Sequence, residues 1–176
     1  IPLQRWWQRR RYRLLRDLVG DRMQMLDVGC GSSQILNCMP QMVGIDCRHS
    51  KLRFMRRTAR NLANADAAAL PFRDNFFETI LLSQVLMYVE DPAEVIRELF
   101  RCLKPGGELI VGVPDSGKWQ WRLLGSIYGL LHPDGRKGKR FTGEELKRLL
   151  GQNGFHIEES RYILGAELIL LARKSA

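Results

Sequence analysis

The sequence predicts an α/β protein built on a largely parallel sheet with an antiparallel addition at its C-terminal end. Three observations lead there. Strand-like and helix-like segments alternate through most of the chain, the pattern of a parallel sheet with crossover helices. The stretch "MLDVGCG" (25–31) sets two glycines directly after the first strand-like run, where open α/β sheets carry the ligand-binding loop. Finally, "FHIEESRYI" and "AELILLARK" lie too close together for a helix to cross between them, so they pair antiparallel.

Each element has a local reason. "QRWWQRRRYRLLRDL" (4–18) reads as a basic helix: Arg5, Arg9, Arg13 and Arg16 share one face and Trp7, Leu14 and Leu18 the opposite one, with Arg11 interrupting the apolar stripe. "MQMLDV" (23–28) and "MVGID" (42–46) read as strands, and a possible third lies in "NADAAALPF". A helix is expected from about Ser50 to Arg60, with Leu52, Met55 and Ala59 on its buried face. "FFETILL" (76–82) has the continuous apolar character of a strand buried on both faces. Asp91-Pro92 opens a helix running to Leu103, because proline suits the first turn and Val95, Ile96, Leu99 and Cys102 fall at helical spacing. "KPGG" (104–107) is expected to stop that helix and turn into the strand "ELIVGV" (108–113). "TGEE" from Thr142 resembles a capping box.

The totals narrow the class. The chain has 176 residues, 45% of them hydrophobic and 27% charged, the make-up of one globular domain. The expected division is a basic N-terminal helix (1–20) and one domain (21–176) with a glycine-rich, aromatic and basic segment at about 115–141 that we expect to act as a lid. No apolar run approaches the roughly 20 residues of a membrane span. No apolar segment follows the basic N-terminus, so no secretory leader is expected and a cytoplasmic location is. Cys30, Cys38, Cys47 and Cys102 lack paired spacing and histidine partners, which favours free thiols over a disulfide or metal framework. A net charge of +9 favours acidic partners.

The glycine loop decides the ligand. The dinucleotide fingerprint G-x-G-x-x-G needs glycine at position 34, and Gln34 stands there. A pyrophosphate over the loop would also be repelled by Asp27 in a partly dry site. A ligand carrying an ammonium and a sulfonium reverses that sign, and S-adenosylmethionine is such a ligand. Asp46 closes the second strand, 17 residues after Gly29, about where an acid accepts hydrogen bonds from ribose hydroxyls. Asp66 is positioned to take one from an adenine amino group.

On "LDVGCG" (26–31), "VGID" (43–46), "DAAALPFRDNFFETILLSQVL" (66–86) and "RCLKPGGELIV" (101–111), in that order, the chain resembles the class I S-adenosylmethionine-dependent methyltransferases of the type 11 group. The resemblance implies a Rossmann-like, seven-stranded, mostly parallel sheet with one antiparallel strand, and S-adenosylhomocysteine as product. It implies that Gly29 and Gly31 pass close to the methionine part of the donor, with Asp27, Val28 and Cys30 beside them. Asp46 would then bind the ribose, with Cys47 next to the adenine. Asp66 and Ala67 would flank the base, and Ser83 and Gln84 would lie below the transferable methyl. The chain departs from the family pattern in having Ser33 where a third glycine is usual, a link from Gly31 to the second strand about a turn short, and Glu78-Thr79 for an Asp-aliphatic pair.

Methyl transfer from a sulfonium is an in-line displacement, so no metal and no obligatory base is expected; a base matters only for an acceptor that must lose a proton. Tyr88 and His132 are the candidates by position, and no catalytic residue is assigned. His49 and His156 read as surface or core. The acceptor expected is a small molecule or lipid-like compound. The alternatives are a non-catalytic fold member acting through its basic surfaces and an RNA methyltransferase, although "SQVLMY" (83–88) lacks the Asn/Asp-Pro-Pro-aromatic motif of enzymes that methylate exocyclic base amines. The N-terminal helix could meet an anionic membrane or RNA, or cover the cofactor cleft with its arginines in water. Arg53, Arg56, Arg57 and Arg60 read as a solvated face.

Overall fold

A computed structural model describes residues 2–20, 22–31, 33–123 and 138–175. In chain order these form α1 (Pro2–Val19), β1 (Met25–Val28), α2 (Ile35–Cys38), β2 (Val43–Asp46), α3 (His49–Met55), β3 (Leu62–Asn64), β4 (Phe77–Ser83), a 3-10 turn (Leu86–Tyr88), α4 (Pro92–Cys102), β5 (Leu103–Pro114), α5 (Gly143–Gln152), β6 (Phe155–Ile163) and β7 (Glu167–Lys174). The seven strands make one sheet in the order β3-β2-β1-β4-β5-β7-β6. All neighbours pair parallel except that β7 opposes both β5 and β6. One reversed strand in a mostly parallel sheet is the architecture anticipated above.

The alternation of side chains along each strand builds a core on either face. Leu26, Val28, Ile80, Leu82, Leu109, Val111, Leu168 and Leu170 point one way and pack with Val95, Ile96 and Leu99 of α4 and Leu146 and Leu150 of α5. Met25, Leu81, Ile110 and Ile169 point the other way, where Leu15 and Val19 of α1 join Ile35, Leu36, Leu52 and Met55 of α2 and α3. The sheet is therefore the middle of three layers, and α1 is one of the covering helices. Its apolar stripe is buried or half-buried, while Arg5, Arg9, Arg13 and Arg16 stay exposed. Arg53, Arg56, Arg57 and Arg60 are likewise exposed.

Two element boundaries differ from expectation. The helix after Asp46 ends at Met55, where its carbonyl accepts from both Thr58 and Ala59 N–H; stopping early lets the chain reach Leu62 in time to pair with Gly44. "KPGG" is an excursion within β5 instead of a turn ahead of it. Phe77 captures Leu103 immediately after α4, and the next pair is Thr79 with Glu108. Gly106 takes φ +72° to close the detour, a conformation natural to glycine.

The capping box at the head of α5 is present in full: Thr142 Oγ accepts from Glu145 N–H and Glu145 accepts from Thr142 N–H. Thr142→Ala removes one of these contacts and should lower stability by about 1 kcal/mol. A urea titration checks it; the midpoint should fall with an unchanged slope.

Candidate functional site

The parallel strands β1, β2 and β4 end on one edge of the sheet, and the loops leaving them meet there. The period of two along a strand puts Met25 and Asp27 of β1 on the α1 side. Asp27 is 3% exposed. Burial pushes its carboxyl up to about 7, the nearby Asp46 adds to the rise, and a hydrogen bond with Ser33 opposes it. Its Oδ2 is buried without a hydrogen-bond partner among the described residues. An acceptor in that condition costs free energy until something donates to it or brings positive charge.

The glycine loop is shaped by close approach. Gly29 has φ +71°, and a Cβ there would stand 2.3 Å from Val85 Cγ2, so the first loop and the residues after β4 touch without room for a side chain. Gly31, at φ +48°, donates its N–H to Asp46 Oδ2 at 2.9 Å. Asp46 Oδ1 accepts from Arg48 N–H at 2.8 Å and Arg48 Nε at 3.3 Å. The acid at the end of β2 thus ties the glycine loop to the start of α3, and the half-exposed Arg48 guanidinium covers it from the solvent side.

The remaining residues named from sequence divide. Val28 and Cys30 are buried: Val28 packs in the core facing α4 and α5, Cys30 in the one facing α1. The Cys30 thiol, pushed up to about 12 chiefly by burial, packs beneath Gly44. Cys47 is exposed beside Asp46. Asp66 lies just beyond β3 and accepts from Ala68 N–H at 3.0 Å, while Ala67 rests half-buried on the core. Ser83 closes β4, and Gln84 follows it at φ +60°, a backbone state that costs a non-glycine residue about 1–3 kcal/mol. Tyr88, His49 and His156 are exposed. His132 and most of the segment at 115–141 lie outside the described residues. Its described ends are clasped together, Ser116 N–H donating to the Phe141 carbonyl at 2.8 Å. Among the described residues no group of three or more His, Cys, Asp or Glu could hold a metal.

The sequence reading missed a cluster beside Gln84. Glu167, 1% exposed at the head of β7, accepts from Arg11 Nε (2.6 Å) and Nη2 (2.9 Å), from Trp7 Nε1 (2.5 Å) and from Gln84 Nε2 (2.7 Å). Tyr12, whose hydroxyl is pushed up mainly by burial, feels the charges of both Asp27 and Glu167. One turn of α1 therefore walls this edge. The signal was available in two anomalies of opposite sign: an arginine interrupting an apolar stripe and a glutamate heading an apolar strand.

Residues 26–111 match the family model described as a methyltransferase domain. An uncharacterised protein of Mycobacterium tuberculosis is 32% identical over 144 residues, which are 79% of this chain and 49% of that protein. The ubiquinone/menaquinone biosynthesis C-methyltransferase of Serratia proteamaculans is 35% identical over 103 residues, 50% of this chain and 41% of its own length. The chain spans about half the length of the curated relatives it matches. Among solved structures, a possible histamine N-methyltransferase from Thermotoga maritima superposes with a TM-score of 0.79 at 21% identity, over 99% of this chain and 95% of that one; at that identity it speaks to the fold.

The raised Asp27 carboxyl has a consequence for stability. Its folded value lies above its unfolded one, so its stabilising share is complete below pH 4. It is lost as pH climbs to about 7. The loss has an upper bound on the order of 4 kcal/mol. Asp27→Asn should abolish this slope and be more stable than wild type at pH 8. Urea titrations at pH 4, 6 and 8 check it; parallel curves for the two proteins would contradict it.

Proposed function

We propose that the chain is a class I S-adenosylmethionine-dependent methyltransferase, a reading supported by its match to the methyltransferase-domain model and by its C-methyltransferase relatives, and that it transfers a methyl group to a small-molecule or lipid-like acceptor. The observation that carries the reading is the unanswered Oδ2 of Asp27, buried at the glycine loop. A cationic donor fits it, and a dinucleotide pyrophosphate would bring two more negative charges beside an acid that already resists ionising.

In this reading Asp27, with the backbone of Val28, Gly29, Cys30 and Gly31, holds the methionine end of the donor. Asp46 takes the ribose once the Arg48 side chain swings aside, Cys47 and Ala67 border the adenine, and Asp66 reaches its amino group. Ser83 and Gln84 lie beside the transferable methyl. When bound, S-adenosylmethionine supplies a methyl already activated by its sulfonium. The protein's part is to keep water out and to hold the acceptor in line. Trp7, Arg11 and Tyr12 of α1 close one side of that space. Relatives named for ubiquinone/menaquinone biosynthesis support a small-molecule acceptor.

Calorimetric titration with S-adenosylmethionine, S-adenosylhomocysteine and NAD tests the donor. We expect both adenosyl sulfur compounds to bind, NAD not to, and Asp46→Ala to weaken both at least tenfold. NAD binding in place of the other two would end the proposal. Because the bound form favours ionised Asp27, affinity for S-adenosylhomocysteine should rise from pH 5.5 to 7.5 in wild type and stay flat in Asp27→Asn. Transfer of labelled methyl onto a metabolite extract tests the acceptor class; no labelled product, with tight and steeply salt-dependent RNA binding, would favour the RNA alternative.

A further inference from the structure

Glu167 has no part in the activity as derived so far, yet it is the most heavily engaged side chain at this edge. Its four incoming hydrogen bonds come from two places, α1 and the residue after β4, and converge on the head of β7. Period two along β7 sets it on the same face as Ile169, toward α1. A Cβ on Gly112 would lie 3.2 Å from Ser83 Oγ and 3.8 Å from Glu167 Oε1. Glycine at 112 thus lets the end of β4 and the head of β7 converge.

The chemistry of the partners fixes an orientation. A carboxylate only accepts, so the Gln84 carboxamide must turn its Nε2–H to Glu167. Oε1 is then the terminal atom left over. The backbone of Gln84 is held as well, its N–H donating to Gly112 O at 2.8 Å. Both the left-handed φ and the amide direction of this residue are thus imposed from outside. Such over-determined strain marks a residue whose placement matters.

We propose that Glu167 is a positioning residue: it fixes Gln84 with Oε1 as the free acceptor at the methyl-transfer position, and makes α1 part of the site by binding Arg11 and Trp7. The inference rests on the donor reading for the meaning of that position. A fixed acceptor there suits a methyl acceptor carrying N–H or O–H, which it can orient. The same tether makes cofactor affinity depend on the docking of α1.

The test avoids leaving a charge stranded. Removing Glu167 alone would bury Arg11 unpaired, which unfolds many proteins, whereas replacing both ions by apolar groups of similar volume is often neutral. The double variant Arg11→Met/Glu167→Met is therefore compared with wild type and with Trp7→Phe, which keeps a ring and drops the Nε1–H donor. Two readouts are taken on the full chain: S-adenosylhomocysteine affinity by calorimetry, and the side-chain amide resonances of Gln84 by 15N NMR. We expect the double variant to lose its shifted Gln84 amide proton and at least tenfold in affinity, and Trp7→Phe to lose about threefold. Wild-type affinity in both variants, or an unchanged Gln84 signal in the double variant, would overturn the proposal. If the double variant does not fold, Trp7→Phe decides by the same affinity criterion. Should wild type fail to bind S-adenosylhomocysteine, the donor reading falls, while the Gln84 signal still reports on positioning.

Discussion

A carboxylate shut away from water with one oxygen unanswered is the constraint around which this molecule is arranged. Asp27 occupies the central region of the sheet, flanked by β2 and β4, and cannot escape to solvent without dismantling β1. Its neighbours are fixed almost as tightly: Gly29 by the Val85 side chain and Gly31 by the Asp46 carboxylate. A loop with so little freedom does not rearrange to supply the missing donor. In the function proposed above, the charge that Asp27 resists carrying is compensated by the bound donor. Keeping an acid in that state lowers the stability of the empty protein, a common bargain at sites where a ligand completes the electrostatics.

Much of the fold was legible because its determinants are local. The capping box at Thr142 and the Asp91-Pro92 helix start depend on residues within one turn. The glycine loop announces itself next to a strand, and the short link after Gly31 reappears as a helix of four residues, Ile35–Cys38. The bulge at "KPGG" was not legible, since it depends on which residue of β4 meets Leu103. The Arg11–Glu167 pair was hidden for the same reason: its partners stand 156 positions apart, and only the strand order, with β7 inserted between β5 and β6, brings them together. Each half was visible as a breach of pattern. What sequence periodicity lacks is the means to match one breach with the other.

That pairing also changes how the N-terminal helix is understood. A basic amphipathic helix ahead of a domain invites a reading as an appendage that seeks anionic surfaces. Here its apolar stripe completes one of the two cores, and its arginines have divided duties: Arg5, Arg9, Arg13 and Arg16 remain in water while Arg11 is spent inward on Glu167. The interruption of the stripe is what gives the helix a register. A purely apolar stripe could slide by a turn at modest cost; a bidentate arginine on a buried carboxylate fixes both rotation and translation.

The selectivity of the edge follows from counting which acids are already answered. Four buried carboxylates lie at that end of the sheet, Asp27, Asp46, Asp115 and Glu167, and Asp115 is met by Gly117 N–H and the Tyr162 hydroxyl. Glu167 is met by Arg11, Trp7 and Gln84 from within the fold. Asp46 is met by two backbone N–H groups and by Arg48, whose guanidinium lies near solvent and so can be displaced by ribose hydroxyls that donate in its stead. Of these four acids, Asp27 alone has a buried oxygen without a hydrogen-bond partner among the described residues. In the proposed reading that oxygen is answered by the cationic end of the donor at the glycine loop, with neutral donors sufficing further along β2. A ligand that is cationic at one end and a ribonucleoside at the other satisfies that distribution, whereas a dinucleotide would set its most negative part where the protein's own negative charge is least relieved.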